Sequence, residues 1–202
     1  MPADEQLVWI LLPLFATVGL YLIWYARRRR RMMARFAREK GLSIRRDYRK
    51  PLQRCLDNAF ALPQTEATRS FGQLAAIVDA EKAWLFLAVE LLDLSRYGQA
   101  QSTHFPRLAA LFKVRPELEG FFLIDTLGRV EDLVPEIPPA KPGVVTAAHE
   151  AMKAHGAGHT LSVTLSNGYG LIYFEPRITG AGDRADLESL YGIAIELNKR
   201  LF

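Results

Sequence analysis

The longest apolar run in the chain is residues 7–26, LVWILLPLFATVGLYLIWYA, which carries no charge and only Thr17 as a polar interior side chain. As a helix, 20 residues measure about 30 Å, the thickness of a bilayer's hydrocarbon core, so the run predicts a transmembrane helix. Trp9 near one end and Tyr21, Trp24 and Tyr25 near the other suit the interfacial belts where amphipathic rings settle. Pro13 and Gly19 are tolerated inside a membrane helix. A secretory signal peptide would have a basic leader, a shorter apolar core and a small-residue cleavage site. Here Asp4 and Glu5 precede the run and arginines follow it. A buried helix of a globular core is rarely this long. With no ionisable residue between Leu7 and Ala26, one span offers no ion or proton pathway of its own.

Beyond Gly41 the pattern is mixed. Residues 51–61 begin with a proline suited to a first helical turn and place Leu52, Cys55, Leu56 and Ala59 at helical spacing. Residues 71–80 and 83–94 are apolar runs separated by Glu81 and Lys82 and read as strand, turn, strand. The second also suits a helix, being rich in Ala, Leu and Glu. Residues Phe121–Asp125 form a strand with a turn around Gly128 and a short strand after it. The segment 134–143, VPEIPPAKPG, holds four prolines and reads as a stiff connector that fits neither a helix nor a central strand. Its Pro135-x-x-Pro138 and Pro139-x-x-Pro142 spacings also match extended left-handed segments that partners recognise. Residues 144–155 predict a helix stopped by Gly156. Two alternating runs then meet at Asn167-Gly168, a hairpin signal. Asp183 can cap a last helix whose Leu187, Leu190, Tyr191, Ala194, Leu197 and Leu201 share a face. This order predicts an α+β domain over 41–202, with a mainly antiparallel sheet covered by helices on one face.

Charge changes the picture at one place. Residues 1–26 hold two acids and no Lys or Arg, residues 27–40 hold eight basic groups and one acid, and the remainder holds 18 basic and 19 acidic groups. The three segments carry −2, +7 and −1, so the net +4 and the pI near 9.3 belong to a short block. Basic residues beside a span are retained in the cytoplasm, so Arg27, Arg28, Arg29, Arg30, Arg31, Arg35 and Arg38 set topology. The expected layout is a short extracytoplasmic tail (1–6), the span (7–26), a basic juxtamembrane helix (27–40) and a cytoplasmic domain (41–202), in a cell inner membrane. Within the block, Arg28, Arg31, Arg35 and Arg38 fall on one helical face and Met32, Met33, Phe36 and Ala37 on another. That sorting fits a segment lying along an anionic membrane surface as well as it fits a plain stop-transfer signal.

Candidate chemistry is sparse. The chain has no phosphate loop, no GxGxxG after a strand, no GxSxG elbow, no CxxC and no HExxH. Cys55, the one cysteine, has no internal disulfide partner. His149, His155 and His159 are dense enough to weigh as metal ligands with Glu150. Six residues on a helix put His149 and His155 about 240° apart, so no metal and no cofactor is expected. His104 lies beside Ser102 and Thr103 in a polar turn, and the carboxylates Glu117, Glu119, Glu131 and Asp132 read as solvated loop groups.

One span, an arginine-rich exit with FAREKGL, and a domain carrying FKVRPELEG and NGYGLIYFEP together resemble uncharacterised families of bacterial inner-membrane proteins. The resemblance is one of architecture along the whole chain and implies no catalytic residues. The function expected from these readings is a membrane-anchored cytoplasmic binding or scaffold domain, an accessory part of an envelope complex, with membrane lipids and a membrane-associated protein as partners. Two alternatives stand beside it. One is a tethered enzyme with a dispersed site built from His104, His149, Glu150 or His159. The other is nucleic-acid binding through residues 27–54, where Arg45, Arg46, Arg49, Lys50 and Arg54 extend the block; a nucleic-acid partner is not expected, because the basic groups are not spread over a folded face.

Overall fold

The computed structural model describes residues 3–45, 50, 52, 54–55, 69–71, 77–79, 85–88, 91–93, 109–132, 139–175 and 184–202. Helix α1 runs without a break from Ala3 to Glu39, about 55 Å at the helical rise. Gly41, at φ +67°, ends it: Gly41 N–H donates to Arg38 O at 3.3 Å and Leu42 N–H to Ala37 O at 2.7 Å. This is the left-handed C-terminal cap that glycine adopts at least cost.

Among the described residues ten strands follow, each short. They are β1 (Ser43–Ile44), β2 (Arg69–Phe71), β3 (Ile77–Asp79), β4 (Leu85–Ala88), β5 (Leu91–Asp93), β6 (Ala109–Lys113), β7 (Gly120–Ile124), β8 (Val130–Asp132), β9 (Leu161–Ser166) and β10 (Tyr169–Phe174). Helix α2 (Pro142–Ala154) precedes β9, and α3 (Arg184–Leu201) follows β10. Eight strands form one sheet in the order β1-β3-β4-β6-β10-β9-β7-β8, while β2 and β5 pair separately. Every described pairing is antiparallel. The α+β class with an antiparallel sheet and packed helices is therefore the observed architecture.

The hairpin of β9 and β10 turns at Asn167 (φ 51°) and Gly168 (φ 80°), and Ser166 stands opposite Tyr169. Two positive φ values in a two-residue loop match the twist of the flanking strands. The described parts of 83–94 are strands, which decides between the two readings of that segment. Pro142 begins α2 rather than lying in a connector, because a first-turn proline lacks only an N–H that would be unpartnered anyway. Residues 133–138 of the connector, Asp183 and residues 101–108 with Ser102, Thr103 and His104 lie outside the described residues.

One face of the sheet, with Phe112, Phe122, Val163, Leu165 and Ile172, packs under α2 and α3. The expectation that helices cover one face alone is corrected by the other. Ala109, Leu111, Leu171 and Tyr173 alternate with the first set and are buried to the same degree, and so is Leu52. The described residues Lys50, Leu52, Arg54 and Cys55 are helical, and Cys55 hydrogen-bonds Tyr169 on this second face. Strands buried on both faces lose the in-out alternation, as LIYF and AALF do here.

The core also reaches back into α1. Met33, Phe36 and Ala37 belong to the same buried cluster as α2 and α3, and Phe36 meets Tyr191 edge-on at 5.4 Å. The apolar stripe of residues 32–37 therefore packs inside the domain and does not rest on a membrane surface.

Candidate functional site

Two kinds of site have to be weighed: the long helix with its arginines, and the polar clusters of the domain. Along α1, the large apolar side chains Leu12, Phe15, Val18, Leu20, Tyr21, Ile23 and Trp24 are all exposed, and Phe15 reaches 70%. From Met33 onward the same helix turns one face into the core at 0–3% exposure. Between them Arg27, Arg28, Arg30, Arg31, Arg35 and Arg38 are exposed; the side chain of Arg29 lies outside the described residues. Arg28 sits over the Trp24 ring at 5.4 Å, a favourable cation–π arrangement.

Counted over the described residues, no helix is long and apolar enough to cross a membrane. The backbone of the whole run is helical.

The root of α1 is fixed by a charge contact that periodicity does not reveal. Arg184, in the first turn of α3, holds the Glu39 carboxylate with both terminal nitrogens, Nη1 donating at 3.2 Å, and its Nε donates to Glu188 at 2.9 Å. These bonds, Glu188 first, raise the guanidinium's pKa further. A Glu at one end of the chain and an Arg near the other carry no local signal of their pairing.

The histidines are dispersed. The His149 ring covers Gly128, where an added Cβ would stand 2.5 Å from Cε1. His155 covers Gly192 of α3, and its carbonyl accepts Ser189 Oγ–H at 2.8 Å. His159 Nε2 lies 3.1 Å from Asp186 Oδ1, with its ring edge-on to Phe174 at 5.7 Å. Among the described residues no group of three or more His, Cys, Asp or Glu is placed to hold a metal ion.

A hydroxyl nucleophile fares no better. Ser162 and Thr164 are buried without a hydrogen-bond partner among the described residues. Ser162 shares its sheet face with Tyr173, whereas Phe174, against which His159 packs, points to the other. Base and hydroxyl are thus separated by the sheet, and general-base activation needs them within hydrogen-bond reach. Burial pushes the Cys55 thiol up, against the lowering effect of its Tyr169 hydrogen bond. Less thiolate means a weaker nucleophile.

A groove of about 440 Å³ beside the start of α2 is lined by Arg115, Lys141, Gly143, Thr146 and Arg200, among others. Its cations are engaged. Arg115 lies 3.8 Å from Glu117, Lys141 Nζ donates to Glu117 O at 3.5 Å, and Arg200 is held by Glu150 and, at 2.8 Å, by Glu196. Glu150, weighed as a metal ligand, is thus an ion-pair partner. Glu131 is exposed on the edge strand β8, whose described register sets it opposite Leu123.

Of the residues expected to matter, the structure leaves the described arginines of α1 exposed and separates His149, His155 and His159. No family model, curated protein or solved structure matches the chain.

Proposed function

We propose that this chain is a single-pass membrane protein whose α+β domain acts in the cytoplasm as a binding or scaffold unit of a bacterial envelope complex. The observation that carries the reading is the division of α1: a segment whose described large apolar side chains, from Leu12 to Trp24, are exposed, continuous with a segment rooted in the domain core. Leaving Leu12, Phe15, Val18, Leu20 and Ile23 in water forgoes on the order of 5–10 kcal/mol of transfer free energy, the scale of a whole domain's stability. A bilayer recovers it. The arginines after the run then keep residues 27–202 in the cytoplasm.

Binding is favoured over catalysis because several of the described reactive candidates are engaged or misplaced: a raised thiol, a hydroxyl across the sheet from the His159 imidazole, and guanidinium groups paired with carboxylates. The test uses the full chain, tagged at its C-terminus and recovered from gently solubilised membranes, with the 7–26 deletion as control. A companion protein in fixed ratio, lost with the deletion, is the expected result. Recovery of the full chain in the soluble fraction contradicts the anchor. Substrate turnover by the purified membrane protein alone contradicts the scaffold.

A further inference from the structure

We infer that the outer face of α1, Arg28, Arg31, Arg35 and Arg38, binds anionic phospholipid headgroups and holds the span tilted toward that face, with the domain on the far side of the helix. The inference rests on the span proposed above.

At 100° per residue, Arg35 stands about 160–200° from Met33 and from Ala37, so the arginine stripe runs directly opposite the face sunk in the core. All four arginines are exposed. Elsewhere on the domain, several exposed guanidinium groups take carboxylate partners: Arg129 with Asp125, Arg184 with Glu39, Arg200 with Glu150. Among the described residues the four arginines of the stripe make no ion pair, and Arg28 lies over the Trp24 ring. Trp24 continues the stripe at its membrane end, four residues before Arg28, where an interfacial aromatic belongs.

Distance decides what the stripe can reach. In an upright helix Arg38 stands 12 residues, about 18 Å, beyond the end of the apolar run. The headgroup layer is only about 5–8 Å deep, so Arg38 clears it by roughly 10 Å or more, outside the Debye length of about 8 Å. Tilting toward the stripe by about 40°, within the range of membrane helices, lowers the axis at Arg38 to about 14 Å. Side chains on the lower flank, reaching roughly 5–6 Å from the axis, come closer still. Arg35 and Arg38 then lie within a Debye length of the phosphates, whose planar oxygen pairs suit a guanidinium. Topology alone asks for basic residues near the span; it does not ask that they share the face opposite the core.

The continuous helix converts this contact into an orientation, because α1 cannot tilt without carrying the packed Phe36 and the domain with it. Each basic residue near the surface contributes about a fivefold population shift, so losing two lowers the tilted-to-upright ratio roughly 25-fold.

The experiment places the full chain in nanodiscs of phosphatidylcholine, or of phosphatidylcholine with phosphatidylglycerol. A fluorophore at Ala34→Cys, on a Cys55→Ser background, reports quenching by headgroup-labelled lipid. Stronger quenching in the anionic discs, lost in Arg35→Gln/Arg38→Gln with unchanged circular dichroism and lost in high salt, is the expected result. Equal quenching in both disc types, with the chain resistant to carbonate extraction, overturns the lipid contact while leaving the span intact; it would make the stripe a surface for an acidic protein. Release of the chain by carbonate overturns the span and the inference together.

Discussion

Phe36 ties the N-terminal helix to the domain. It is fully buried, edge-on to Tyr191, and lies in one cluster with residues of α2 and α3. Phe36→Ala leaves a cavity that costs about 3–5 kcal/mol, so detergent-solubilised protein should unfold at a markedly lower temperature by circular dichroism. The same substitution at exposed Phe15 should leave the domain's transition unchanged, which separates the two halves of one helix. Asp125 makes a second residue-scale prediction. Its Oδ1 accepts the N–H groups of Leu127 and Arg129, each at 2.9 Å, and its Oδ2 accepts Arg129 Nε–H at 2.6 Å. Foremost the Arg129 N–H bond holds its carboxyl below the usual carboxylate range. A depressed pKa adds stability that is present above the unfolded value, about 3.9, and is lost as pH falls through the folded one. Asp125→Asn should lower the melting temperature by a few degrees at neutral pH, and the difference should close in acid below pH 4. An equal deficit at every pH would mean that the charge is not what Asp125 contributes.

At the level of elements, what could be read ahead followed from how local the cause is. Asn167-Gly168 sets its own turn through two positive φ values, and Leu187, Leu190, Ala194 and Leu197 announce the buried face of α3 by spacing alone. Gly41 and Gly156 stop their helices for the same local reason. Causes that lie far along the chain were not legible. Met33, Phe36 and Ala37 beside five arginines have the pattern of a membrane-surface helix, because Tyr191, the ring that Phe36 meets, is near the other end of the sequence. The second buried face of the sheet was hidden because Leu171 and Tyr173 are as apolar as their neighbours Ile172 and Phe174. Within the candidate site, the arginine stripe was legible from helical spacing. The Glu39–Arg184 clamp and the separation of the three histidines depend on how strands and helices are arranged, which spacing does not encode.

For the whole molecule, α1 is one continuous helix from Ala3 to Glu39, and under the proposed reading it serves as span, arginine-faced exit and core helix with no joint between them. A flexible linker after the arginines would let the domain drift from the membrane; an unbroken helix fixes its distance and its rotation. A partner in the envelope would then meet the domain in a set orientation, with less freedom left to lose on binding. Amide hydrogen exchange on the full chain in lipid nanodiscs tests this most directly. Slow exchange running without interruption from residue 7 to residue 39 is the predicted result, protected first by lipid and then by the core. Rapid exchange across residues 7–26 would contradict the span, and a fast-exchanging break at 27–31 would contradict the rigid connection.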